Sequence, residues 1–199
     1  MELKKFLLIL LFIITIKCIE SKKSLRTFVV SQDKPPKPKP LTDFTAYDSR
    51  EKNRWYLIRT TSTDLDTIVI IDYRAKKIIA NVEGEWVNNI FNVTFSIYDD
   101  TLDKWIDGVM IRKSKVFSTK YEIQWNNERL YIKPSTFRKT MKIYKETSNE
   151  LYAQSRYRSI WRTWSKYKYD LQIYTTKLPD ALYLMIMTVM HHTTQLHNV

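Results

Sequence analysis

The sequence predicts a mainly β protein: a closed antiparallel β-barrel of about 10–12 strands enclosing a hydrophobic C-terminal α-helix. Three observations lead there. Residues 181–190 read Ala-Leu-Tyr-Leu-Met-Ile-Met-Thr-Val-Met, apolar on every side of a helix rather than along one stripe, so that helix has no solvent face. Short β-rich runs separated by turn residues fill the chain before it. A helix with its side chains is about 10–12 Å across, too wide for an eight-stranded barrel packed with its own side chains but not for a wider one.

The chain opens with Met1-Glu2-Leu3-Lys4-Lys5, an apolar-rich core over residues 6–16, and a polar boundary at Lys17-Cys18-Ile19-Glu20-Ser21. A basic start, a short apolar core and a small residue near a polar edge describe a secretory signal peptide over residues 1–20, so a secreted, extracellular protein is expected. Cys18 is the only cysteine, which rules out an internal disulfide and leaves the fold to its core. A single-domain monomer is the expectation. The whole chain carries +12; losing residues 1–18 removes Lys4, Lys5, Lys17 and Glu2 and leaves +10, which favours anionic partners.

Residues 21–53 are polar and charged and read as a linker, with Lys34-Pro35-Pro36-Lys37-Pro38-Lys39-Pro40 an extended basic spacer. The barrel domain is expected over residues 54–199. Its strands are read at residues 54–60, 67–73, 77–82, 91–98, 104–112, 116–125, 129–133, 137–145, 150–158 and 167–175, with 160–164 as an extra candidate. Val93, Phe95 and Ile97 alternate with Asn92, Thr94 and Ser96, the period of a half-buried strand. Asp99-Asp100, Asn126-Asn127 and Ser148-Asn149 are turn signals.

The helix is expected over residues 179–195, with Pro179 at the first helical position and Asp180 at the positive end of the dipole. It is too short to span a bilayer, and the polar residues 191–198 do not fit a removable lipid-anchor tail. A protein wall remains. Burying its large apolar side chains at about 1.5–3 kcal/mol each stabilises strongly, most of it offset by chain entropy.

Two stretches carry a family resemblance: the strand and connector Tyr169-Asp170-Leu171-Gln172-Ile173-Tyr174 leading into Leu178-Pro179-Asp180-Ala181-Leu182-Tyr183-Leu184-Met185-Ile186, and the hairpin Ile68-Val69-Ile70-Ile71-Asp72-Tyr73-Arg74-Ala75-Lys76-Lys77-Ile78-Ile79. They resemble the tubby C-terminal-like superfamily, which includes tubby proteins, phospholipid scramblases and the plant LURP-one-related proteins. The resemblance spans residues 54–196 and implies a barrel around a C-terminal helix and a tendency toward lipid and phosphoinositide ligands. The C-terminal sequence blocks of tubby proteins and the cysteine cluster of scramblases are absent, and Ala75 stands where the hairpin often has glycine. A lipocalin-like barrel is the fold alternative, through Gly84-Glu85-Trp86, but its helix packs outside and should be one-sided.

Only Gly84 and Gly108 are glycines, so no phosphate-cradling loop or dinucleotide fingerprint exists, and no cofactor is expected. His191, His192 and His197 all lie at the end of the last helix, where the dipole accounts for them, and no metal site is expected. Asp99, Asp100, Asp103 and Asp107 lack the glycine and final glutamate of a calcium loop and read as a solvated turn. No nucleophile and base pair up in the sequence, so an enzyme is not expected. The suggestive surface run is 156–169, where Arg156, Arg158, Arg162, Lys166 and Lys168 interleave with aromatics including Trp161 and Trp164. Those cations are the candidate binding residues for acidic phospholipid or phosphoinositide head groups at a membrane surface. Nucleic acid is not an expected partner of a secreted chain; the alternative is a protein-interaction or effector role with no lipid ligand. Asn92-Val93-Thr94 is a glycosylation sequon, with Asn92 the acceptor.

Overall fold

The computed structural model describes residues 23–33, 41–62, 66–85, 92–115, 118–135, 140–158 and 167–196. Its strands are β1 (Arg26–Gln32), β2 (Phe44–Asp48), β3 (Arg54–Ser62), β4 (Asp66–Asp72), β5 (Lys77–Glu85), β6 (Asn92–Asp99), β7 (Lys104–Lys115), β8 (Ser118–Trp125), β9 (Glu128–Ser135), β10 (Thr140–Lys145), β11 (Leu151–Tyr157) and β12 (Lys168–Ile173), followed by α1 (Asp180–Leu196). Each strand pairs antiparallel with the next in sequence, and β1 pairs with β12, so the meander closes into a barrel. Closure leaves no exposed strand edge.

Alternation in the sequence becomes inside and outside in the wall. Along β4, Ile68 and Ile70 are fully buried while Thr67, Val69 and Ile71 are not. Val93, Phe95 and Ile97 of β6 point into the core in the same way. Gly108 on β7 sits opposite Phe95, and a Cβ there would fall 2.4 Å from the Phe95 ring, so only glycine lets that ring lie against the wall. The turns use residues that tolerate a left-handed backbone: Asn126 (φ 46°) and Asn127 (φ 61°) form a two-residue hairpin loop between β8 and β9. In the β4–β5 turn the left-handed residue is Lys76 (φ 51°), beside Ala75. Asp72 Oδ1 there accepts the backbone N–H groups of Arg74 and Ala75, both at 2.8 Å.

Every residue of α1 from Ala181 to Thr193 is buried. Its two threonines return their hydroxyls to the helix, Thr188 to the Leu184 carbonyl at 2.8 Å and Thr193 to the Val189 carbonyl at 2.9 Å. At its first turn Asp180 meets Arg26 at 3.0 Å and accepts from the Tyr56 hydroxyl at 3.4 Å. Burial pushes the Asp180 carboxyl up against the pull of Arg26. At the far end His191 shares a 2.6 Å hydrogen bond with the Tyr169 hydroxyl and lies edge-on to Phe44.

Two expectations need correction here. Residues 21–53 are not only a linker, because β1 and β2 lie within them and Phe28, Val30, Phe44 and Ala46 join the core; the barrel therefore begins well before Arg54. Their apolar runs are too short to stand out from charged neighbours. His191 is not a charged partner of the helix dipole: burial, with His192 beside it, pushes its imidazole down to about 3, and it is neutral. The signal peptide over 1–20, the Lys-Pro spacer at 34–40 and the extra strand at 160–164 lie outside the described residues.

Candidate functional site

Because α1 occupies the barrel, the side chains that can meet a partner are those on the outer face of the wall. The cations singled out in the sequence divide there. Arg162 and Lys166 lie outside the described residues. Arg156 on β11 is exposed, opposite Thr140 of β10 on one side and Asp170 of β12 on the other. Arg158 and Lys168 are held by acids. Arg158 Nη1 meets Glu51 Oε1 at 2.7 Å, Arg158 Nη2 meets Asp170 at 2.7 Å, and Lys168 Nζ meets Glu51 Oε2 at 2.5 Å.

Glu51 comes from the β2–β3 turn and has a left-handed backbone (φ 59°). Two strands separate it from Lys168, because β2 neighbours β1 and β1 neighbours β12. The cluster therefore straps the outside of the closing strand. The Lys168 hydrogen bond, then the charges of Lys168 and Arg158, hold the Glu51 carboxyl below its usual range, while Asp170 above all raises Arg158. These groups are about a third exposed, so each contact contributes modestly, of the order of 1 kcal/mol or less.

A second set of cations is created by strand register. Lys113 of β7 stands opposite Lys120 of β8, and Lys133 of β9 stands opposite Lys142 of β10. Tyr121 pairs with Ile132, so Lys120 and Lys133 occupy the next rung of that ladder. The outcome is a lysine row across four adjacent strands, alternating with the buried Tyr121, Ile132, Met141 and Ile143, with Arg156 beyond it on β11. The row meets two acids: Glu122, at 2.5 Å from Lys113 and 3.2 Å from Lys120, and Glu146, at 3.0 Å from Lys120. Hydrogen bonding from Lys113 first, and from Lys120, pulls the Glu122 carboxyl down. Lys133 lies over the stacked rings of Tyr131 and Tyr144, and Lys142 is exposed. Four lysines and Arg156 against two glutamates leave the row positive.

A third outer feature is a groove of about 750 Å³ across β5–β8 and the β8–β9 turn, lined mainly by polar side chains, among them Asn81, Glu83, Asp107, Gln124, Glu128 and Arg129. The aspartates near it are engaged with their own hairpin. Asp99 caps the turn by accepting from the N–H groups of Thr101 and Leu102, Asp103 accepts from the Tyr98 hydroxyl, and Asp107 accepts from Ser96 Oγ. Asn92, the sequon residue, is the first residue of β6, opposite Glu85 and Ile111.

No protein-family model, curated protein or solved structure matches this chain. The lysine row and the groove were not found by reading along the sequence. Alternation around Lys113, Lys120, Lys133 and Lys142 marks each as outward-facing, but their adjacency depends on the register of three hairpins.

Proposed function

We propose that this protein is a secreted, non-enzymatic binding module for acidic phospholipid head groups, and that the lysine row of β7–β10 with Arg156, rather than the run at 156–168 as a whole, is the surface that engages them. The observation that carries this reading is the row itself: Lys113, Lys120, Lys133 and Lys142 on consecutive strands of a rigid wall. Strands stand about 4.8 Å apart, so the lysine stems leave the wall in closely spaced succession, and a sheet of anionic head groups can meet several of them together. Each lysine brought to an anionic membrane surface contributes about 1 kcal/mol. The net charge, +10 once residues 1–18 are lost, adds long-range attraction, and the resemblance to tubby-like proteins points to the same ligand class.

The test is sedimentation of the full secreted chain with vesicles of phosphatidylcholine alone or mixed with phosphatidylserine, at low and at physiological salt. Binding to the mixed vesicles only, weakened but not abolished at physiological salt, supports the reading. Equal binding to both vesicle types, or none even at low salt, overturns it in favour of a protein-interaction role.

A further inference from the structure

We propose that the groove across the outer face of β5–β8 is a carbohydrate site that takes a neutral oligosaccharide, independently of the lysine row. The volume of about 750 Å³ falls within the range of small-ligand sites, roughly 300–1,000 Å³. Ordinary small-molecule pockets are mostly apolar, whereas this one is dominated by amide, carboxylate and hydroxyl groups, so its ligand must itself carry many hydrogen-bonding groups.

Register sets those groups on a grid. Asn81, Ser96 and Asp107 form one rung across β5, β6 and β7, and Glu83, Thr94, Val109 and Gln124 form the next rung, which reaches β8. Neighbouring strands lie about 4.8 Å apart and successive outward residues about 6.8 Å apart, a two-dimensional array suited to the hydroxyls of linked sugar rings. The array is held in place before any ligand arrives. Ser96 Oγ donates to Asp107, Asn81 Nδ2 donates to Glu83 Oε1 at 3.1 Å, and Thr94 Oγ1 donates to the Glu83 carbonyl at 3.4 Å. Such preorganisation lowers the ordering cost of binding a polar ligand.

The second observation is aromatic. Trp105 lies two residues before Asp107, on the same outward face of β7, and is 45% exposed. Tyr98 opposite it supports the indole edge-on, with centroids 5.8 Å apart, and Lys77 Nζ covers the Tyr98 ring at 3.3 Å. Trp105 stands outside the groove's lining, one outward position beyond Asp107, where the exposed indole offers an apolar surface for the C–H face of a sugar whose hydroxyls reach the array. Glu83, Asp107 and Glu128 outnumber Arg129 in the lining, which makes the groove unsuited to sulfated or uronic acid chains and separates its ligand from whatever the lysine row attracts.

Isothermal titration of the full secreted chain with neutral tetrasaccharides of glucose, mannose, galactose and N-acetylglucosamine, and with a heparin tetrasaccharide, tests this. At least one neutral tetrasaccharide should bind saturably, with an affinity unchanged between low and physiological salt. Trp105→Ala and Asp107→Ala should each weaken that binding about tenfold or more, Trp105→Tyr should retain most of it, and Lys133→Glu should leave it unchanged; unaltered melting temperatures show that the variants are folded. Absence of saturable binding to every neutral tetrasaccharide, binding of the heparin fragment only, or binding that survives both alanine variants would overturn the proposal.

Discussion

Two sectors of the outer wall carry cations, and they differ in what those cations face. Across β11, β12, β1 and β2, Arg158 and Lys168 are clamped by Glu51 and Asp170, and the cluster straps the strand that closes the barrel. Across β7–β10, four lysines stand side by side and, among the described residues, meet the acids Glu122 and Glu146. The first sector is the one whose charge is conspicuous in the sequence; the second is assembled from residues far apart in it. A run of like charge along a chain thus says little about whether those charges are available. The acids that neutralise Arg158 and Lys168 include one more than a hundred residues away, 117 positions from Lys168.

Removing the seam has the largest expected effect. A chain beginning at residue 41 lacks β1, leaving β2 and β12 as open edges and stripping Phe28, Val29 and Val30 from the wall. The expected loss approaches the whole of an ordinary domain stability of about 5–15 kcal/mol, seen as the disappearance of a cooperative thermal transition.

A smaller effect separates the interior from both surfaces. His191 is neutral in the fold, with a value of about 3 against 6.5 for an ordinary imidazole. The unfolded chain therefore binds the proton first, and stability falls as pH drops below the unfolded value. Between about pH 7 and pH 4 the loss from this group is about 3 kcal/mol, measurable by urea unfolding and reduced in His191→Gln.

Within the seam, Glu51→Gln removes the acid shared by Arg158 and Lys168. It should cost about 1 kcal/mol in the same assay while strengthening binding to anionic vesicles, because Lys168 is released and Arg158 keeps only Asp170. The Glu51 carboxyl is held below its ordinary value, so its contribution is complete above the unfolded pKa and is lost as pH falls through the folded one. The smallest change is expected from Glu122→Gln in the row: a few tenths of a kcal/mol in stability, with a modest gain in vesicle affinity.

Much of the architecture was legible. The all-round apolar residues 181–190 required an enclosing wall, and alternation such as Val93-Thr94-Phe95-Ser96-Ile97 marked its strands. Asn126-Asn127 marked a turn because few other residues accept that backbone. What escaped was short or non-local. β2 is five residues long, and β1 offers only Phe28, Val29 and Val30 between polar neighbours, so neither rises above the charged composition of residues 21–53. The lysine row and the groove depend on cross-strand register, which a one-dimensional reading does not contain.

We propose that the row, and not the seam, binds acidic lipid. This is tested most directly by comparing Lys133→Ser/Lys142→Ser with Arg158→Ser/Lys168→Ser in phosphatidylserine vesicle binding, alongside the melting temperature of each. At about 1 kcal/mol per lysine, the first pair should lose roughly thirtyfold in affinity and keep its melting temperature. The second pair should keep its affinity and melt lower. Loss of vesicle binding in the Arg158/Lys168 pair with full retention in the Lys133/Lys142 pair would contradict the account.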